Sequence, residues 1–187
     1  MLKHLKEYGK YLEITGFRNV QLADAEDFLK TARKKMPQHT ELQLFNSDLV
    51  ASWQHLYFAV LNSLMAFRNR RNISKSVAVE VMLYASSQRQ IKKAIEFVGV
   101  KKDSANVAAV IISSKVESAK TGLAIISDCF SVEADETVLE LSVQKVQRIR
   151  IAFDISDLEL ETTTADNIEE ALVDVVIERV ALLSTQI

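Results

Sequence analysis

One cysteine, one proline and four glycines in 187 residues exclude several kinds of protein at the outset. Cys129 has no second cysteine with which to close an intrachain disulfide. Outside any motif it reads as a small core residue rather than a nucleophile. Pro37 and so few glycines leave no flexible linker or low-complexity region, and no repeat recurs at solenoid periods. The same shortage removes both common nucleotide cradles, and neither a GxSxG elbow nor an HExxH motif occurs. His4, His39 and His55 are scattered, without a second histidine or a cysteine at ligand spacing, so neither metal nor cofactor is expected. The opening MLKHLKEYGKYLEI has neither the apolar run nor the cleavage site of a secretory signal, which makes a cytoplasmic protein the expectation.

What is present is 48% hydrophobic residues, enough in a chain of 187 to bury a core unaided, as one domain over 1–187. The net charge of −2 hides a strong segregation. Residues 68–102 hold nine basic side chains against Glu80 and Glu96, a net +7, and residues 117–178 hold fifteen acidic against four basic, a net −11. The basic run is a surface for a polyanion, or both runs are ordinary solvated helix faces.

The elements follow from periodicity and caps. Residues 11–17 alternate as a first strand, with a turn at 16–19. Residues 23–35 place Ala25, Phe28, Leu29 and Ala32 at helical spacing, with cations in the last turn and Pro37 beyond. A short strand at 41–45 is followed by Asn46, Ser47 and Asp48 as cap candidates for the longest helix, which runs to about residue 70. Its apolar residues cover nearly the whole circumference, and Trp53, Tyr57 and Phe58 among them read as core. Asp48, Gln54, His55 and Asn62 argue against a membrane span there. NVAAVIIS, 106–113, is a buried strand. Helices are expected at 114–130, with Leu123, Ile126 and Cys129 inward, and at 138–153, although RIRIAFDI at 148–155 also alternates as a strand would. Asp154, Asp157, Glu159 and Glu161 read as solvated surface. Thr164 to Asp166 then cap a final helix reaching about residue 183, with Ile168, Leu172, Val175, Val176 and Val180 as its buried stripe. The sum is an α/β mixture with helices in the majority.

Residues 71–99 are the most informative segment. Val77, Val81 and Tyr84, with Val79, Met82 and Leu83 beside them, call for a buried helix. Ser86 or Ser87 can cap a second helix with an Ile91, Ile95, Val98 stripe, outward Lys92 and Lys93, and Gly99 as its left-handed stop. Arg89, Gln90 and Ile91 then fall at an exposed helix start.

The block ELQLFNSDLVASWQHLYFAVLNSLMAFRNRRNISKSVAVEVMLYASSQRQIKKAIEFVGV resembles the small kinase-binding subunit of the KEOPS (EKC) complex. This family includes the PRPK-binding protein of eukaryotes. GFRNV, NVAAVIIS and the archaeal-type LVDVVIERVALL extend the resemblance over nearly the whole chain. Two places depart from the pattern: the joint SSQRQI lacks the glycine expected before it, and residues 115–130 match poorly. The resemblance implies an α/β mixed (α+β) fold, a helix-rich single domain with helices packed around a small, mostly antiparallel sheet. It also implies a non-enzymatic accessory subunit. Its partners would be the complex's small atypical kinase/ATPase and tRNA, engaged at the single-stranded acceptor end for threonylcarbamoyladenosine modification. Unpaired nucleotides need guanidinium groups, helix-start amides and a flat apolar side chain, and Arg89, Gln90 and Ile91, with Arg71 and Lys75, have that composition. A kinase face needs apolar surface left over once the core is filled, and Leu64, Phe67 and Leu182 are candidates. The alternatives are an RNA-binding module without a kinase partner, or a small enzyme, which would need converging carboxylates or Cys129 beside His55. The sequence carries no signal for or against self-association.

Overall fold

The computed structural model describes residues 1–185. Contacts divide the chain into two compact units, each built from two stretches: Met1–Ser47 with Val100–Val138, and Asp48–Gly99 with Leu139–Ile187.

The first unit is built on a four-stranded sheet, antiparallel throughout, of order β1-β2-β4-β3: β1 (Leu2–Leu5), β2 (Lys10–Phe17), β3 (Thr40–Asn46) and β4 (Val107–Ser113). β4 is VAAVIIS, the apolar run NVAAVIIS without its first residue. All seven of its residues are buried, as a central strand requires. Phe17, Leu42, Leu44, Val107, Ala109 and Ile111 share one face with the inner sides of helices α1 (Ala25–Lys35) and α5 (Val116–Phe130), which contribute Ala32 and Ile126. Asp24 caps α1 by accepting from the Asp27 amide. β1 escapes a reading of periodicity because it is short and half polar. It is held by pairing with β2 and by stacking of His4 on Tyr11, with ring centroids 4.4 Å apart. Gly16 lies within β2 rather than in the expected turn. A Cβ there would meet Val138 Cγ2 at 1.9 Å, so glycine is needed for close approach, and the left-handed residue of the turn is Asn19.

The second unit consists of helices: α2 (Trp53–Arg68), α3 (Val77–Ser86), α4 (Ile91–Val98), α6 (Val143–Ala152), α7 (Asp157–Glu161) and α8 (Ile168–Leu182). Its core joins Ala51, Val146, Ile149, Phe153, Leu160, Leu172, Val175 and Val176. The fold is thus α+β, helix-rich, with a small antiparallel sheet.

Several boundaries differ from the sequence expectation. Ser47–Leu49 is a turn of 3₁₀ helix, and α2 starts at Trp53, capped by Ser52 rather than by Asn46, Ser47 or Asp48. Asp48 instead pairs with Arg148. α6 runs through most of RIRIAFDI. A strand would put Ile149 and Ile151 on one face, whereas the helix buries Ile149 and leaves Ile151 82% exposed. Asn167 caps α8 in place of residues 164–166, and Ile168, expected in its buried stripe, faces outward. In α4 the stripe is rotated: Ala94 and Val98 are buried, while Ile91 and Ile95 are exposed. Neither Ser86 nor Ser87 caps α4. Ser87 terminates α3 in the left-handed conformation (φ 53°), donating its amide to the Tyr84 carbonyl. Gly99 ends α4 with extended backbone (φ −67°), and a Cβ there would lie 2.3 Å from the Ile95 carbonyl oxygen, so its role is steric. None of the described helices is long and apolar enough to cross a membrane.

Candidate functional site

α3 carries basic groups beyond both of its ends. Lys75 lies just ahead of its cap Ser76, and Arg89 lies past its C-terminus, so about 15 Å of helix separates them. The structure therefore does not draw Arg71 and Lys75 into one cluster with Arg89.

At the first end, the loop after α2 is pinned by its own backbone. Arg70 turns left-handed (φ 56°), the Arg71 amide donates to the Ala66 carbonyl, and the amides of Ile73 and Ser74 both donate to the carboxylate of Glu80. Asn72 bonds the Ser74 carbonyl, and the Ser74 hydroxyl bonds that of Ser76. Glu80 is wholly buried, while Arg68, Arg70, Arg71 and Lys75 are exposed. An apolar helix thus holds one buried acid whose work is to fold a basic loop.

At the second end, Arg89, Gln90 and Ile91 are exposed, as the sequence led us to expect. Gln90 occupies the cap position of α4 without a capping hydrogen bond from its side chain, so the first-turn amides, which have no carbonyl one turn back, face a place open to an anion. Lys92 and Lys93 are exposed in the same turn. Arg89 acts electrostatically on Tyr84, whose phenol is held above its ordinary range, first by burial and then by Glu80, with Arg89 opposing.

Beside this joint lies a cleft of about 510 Å³ lined by Ser87, Gln88, Phe97, Phe153, Glu159, Arg179 and Leu182, among others. Phe97 and Phe153 meet edge to face at 4.9 Å. Arg179 donates through Nη2 to the Asp154 carbonyl (3.1 Å) and to Glu159 (2.7 Å). Its Nε and the Ser87 hydroxyl are both buried without a hydrogen-bond partner. Both atoms lie beneath the cleft surface, so they are left unpaired within the packing of the cleft wall. Glu159 is not surplus surface charge. It closes a capping box with Ser156, whose backbone and hydroxyl bonds, followed by Arg179, hold its carboxyl below the usual range.

Ser87 and Arg179 escaped the sequence reading. Arg179 and Glu159 are twenty residues apart, and Ser87 resembled a helix cap. Its φ of 53° is left-handed, a conformation that costs a serine about 1 kcal/mol of strain. Ser87→Gly should therefore raise unfolding free energy by about 0.5–1 kcal/mol in urea titration, while removing one cleft donor. A loss of stability would show the turn to be unstrained.

Of the expected kinase contacts, Leu64 is buried, Phe67 is half-buried, and Leu182 stands 46% exposed on the cleft rim. His55 is buried in the second unit with both ring nitrogens engaged, and Cys129 belongs to the first, its thiol 3.7 Å from the Lys35 ammonium. No group of three or more potential metal ligands occurs among the described residues.

Eight helices and a four-stranded antiparallel sheet among the described residues define a helix-rich α+β protein. The family model described as Kinase binding protein CGI-121 matches residues 17–184, and the chain belongs to that family. The Regulatory protein Cgi121 of Methanocaldococcus jannaschii is 32% identical over 115 residues, covering 62% of this chain and 71% of the relative. The kinase-binding family read from the sequence is thus borne out.

Proposed function

We propose that this protein is the non-catalytic, regulatory kinase-binding subunit of a cytoplasmic KEOPS-type complex. It acts as one domain on the small atypical kinase/ATPase and brings tRNA in by its acceptor end for threonylcarbamoyladenosine modification. Family membership supports the kinase. For tRNA the carrying observation is the exposed Arg89–Gln90–Ile91 triplet at an uncapped helix start, with exposed Lys92 and Lys93 in the same turn. The amides and Arg89 suit the phosphates of the unpaired end, and Ile91 gives a base a surface to lie on.

The test has two arms. Mixed with the purified kinase, the chain should elute as a heterodimer on size exclusion, and separate peaks at micromolar concentration refute the kinase role. Arg89→Glu should weaken tRNA binding about tenfold and lower the slope of log affinity against log salt by about 1, leaving the kinase pair intact. Unchanged affinity at fixed salt refutes the site. Tight RNA binding with no kinase pair would establish an independent RNA-binding module instead.

A further inference from the structure

α2 is the longest described helix, and among its sixteen residues WQHLYFAVLNSLMAFR the only charge is Arg68, at the C-terminal end. Its inner side is fully used: Leu56, Ala59, Val60, Ser63 and Leu64 are buried, and Ser63 bonds the Ala59 carbonyl within the helix. The outer side is apolar too. Phe58, Leu61 and Met65 fall at i, i+3 and i+7, with Phe58 37% and Met65 42% exposed and Leu61 half-buried. Asn62, the polar residue among them, turns its amide back onto the Phe58 carbonyl. The rings of Trp53, Tyr57 and Phe58 run along the start of this side in edge-to-face contact, 5.9 and 5.6 Å between centroids. A helix side facing water ordinarily carries lysine and glutamate. One that carries Phe, Leu, Met and Tyr has the composition of an interface core.

We infer that the outer stripe Phe58–Leu61–Met65 of α2, with Tyr57 at its flank and Arg68 at its end, is the surface on which the kinase docks. The inference rests on the family reading for the partner's identity.

Charge selects the occupant. The stripe contains no carboxylate and ends at Arg68, with exposed Arg70 and Arg71 just beyond, so it fits an apolar protein ridge with acidic residues at one end. A second copy in antiparallel pairing would set Arg68 against an α2 N-terminus that has no acidic residue in its first turn and carries the positive end of the helix dipole. RNA would find aromatic faces but almost no cation along the stripe to neutralise its phosphates. Ile151 and Leu158, which are more exposed, follow in sequence Arg150 and Asp157, two charges that pair with each other.

The experiment compares wild type, Phe58→Glu/Met65→Glu and the control Ile151→Glu for binding to the purified kinase and to tRNA, with melting curves for each. The expected result is at least a thirtyfold loss of kinase affinity in the double variant alone, with tRNA affinity within twofold and melting unchanged. Single variants, each losing part of the affinity, decide the matter should the double variant melt early. If wild type binds the kinase and the double variant binds it equally well, the stripe is not the docking face, although the family reading stands. If wild type fails to bind, both fail. Loss of tRNA binding alone, or conversion of a dimer to a monomer with kinase affinity intact, assigns the stripe to another occupant and overturns the inference.

Discussion

Replacing Glu80 with alanine should lower the unfolding free energy by about 3 kcal/mol and release the basic loop ahead of α3. The wholly buried carboxylate accepts from two backbone amides, Ile73 at 3.0 and 3.1 Å and Ser74 at 2.7 Å. Hydrogen bonds to a charged acceptor are each worth about 1.5–3 kcal/mol, and Ser74 is itself buried, so its stranded amide cannot turn to water without moving the chain. Removing the side chain also leaves a cavity in a helix buried on nearly all sides. Glu80→Gln keeps one carbonyl acceptor and should lose about half as much. Urea titration reads the stability, and amide exchange at Ile73 and Ser74 reads the loop. A loss below about 1 kcal/mol, or unchanged protection of the Ser74 amide, would show that the carboxylate does not hold the loop.

Acid should destabilise the protein from pH 6.5 downward through His55. The ring is buried, Nδ1 accepts from the Ala51 amide at 3.2 Å, and Nε2 lies 2.8 Å from the Ala85 carbonyl, an arrangement that fixes the neutral Nε2–H tautomer. Burial pushes its pKa down from 6.5 to about 4, with a further push from Lys145, while the bond to Ala85 opposes. Lys145 is lowered by burial to about 8, with Asp48 and Glu140 opposing, so it is still mostly charged at neutral pH. The folded pKa of His55 lies below the unfolded one, so between pH 6.5 and 4 the unfolded chain binds more protons. The contribution is complete above 6.5 and is lost as pH falls, by about 2.5 kcal/mol at pH 4.5. His55→Gln, which can still donate to Ala85 but does not titrate, should be less stable than wild type at pH 7.5 and should lose correspondingly less on the way to 4.5. Parallel stability curves for the two proteins would refute the assignment.

Most of the longer elements and their order were legible in the sequence, while the short β1 and α7 were not. Periodicity is local, so the strand in NVAAVIIS, the helix expected over 23–35 and found over 25–35, and the buried α3 lie where it put them, although the caps of α2, α4 and α8 do not. The exposed position of Arg89, Gln90 and Ile91 was equally legible, because two apolar helices with a short polar joint leave that joint in water. Local pattern could not supply the face that each stripe turns inward. Ile91 and Ile95 satisfy helical spacing as well as Ala94 and Val98 do, and only the neighbours packed on α4 decide that the smaller pair goes in. Nor could it tell that Phe58 and Met65 stay outside while Leu56 and Val60 go in, since α2 is apolar on both sides. The pairing of Glu159 with Arg179, the unmet donors of Ser87 and Arg179, and the grip of Glu80 on a loop six residues earlier depend on side chains that chain folding brings together. Composition and spacing fix what a segment can become, because backbone geometry repeats every 2 or 3.6 residues. Which of its surfaces is left for a partner is a property of packing, settled only by what else occupies the space.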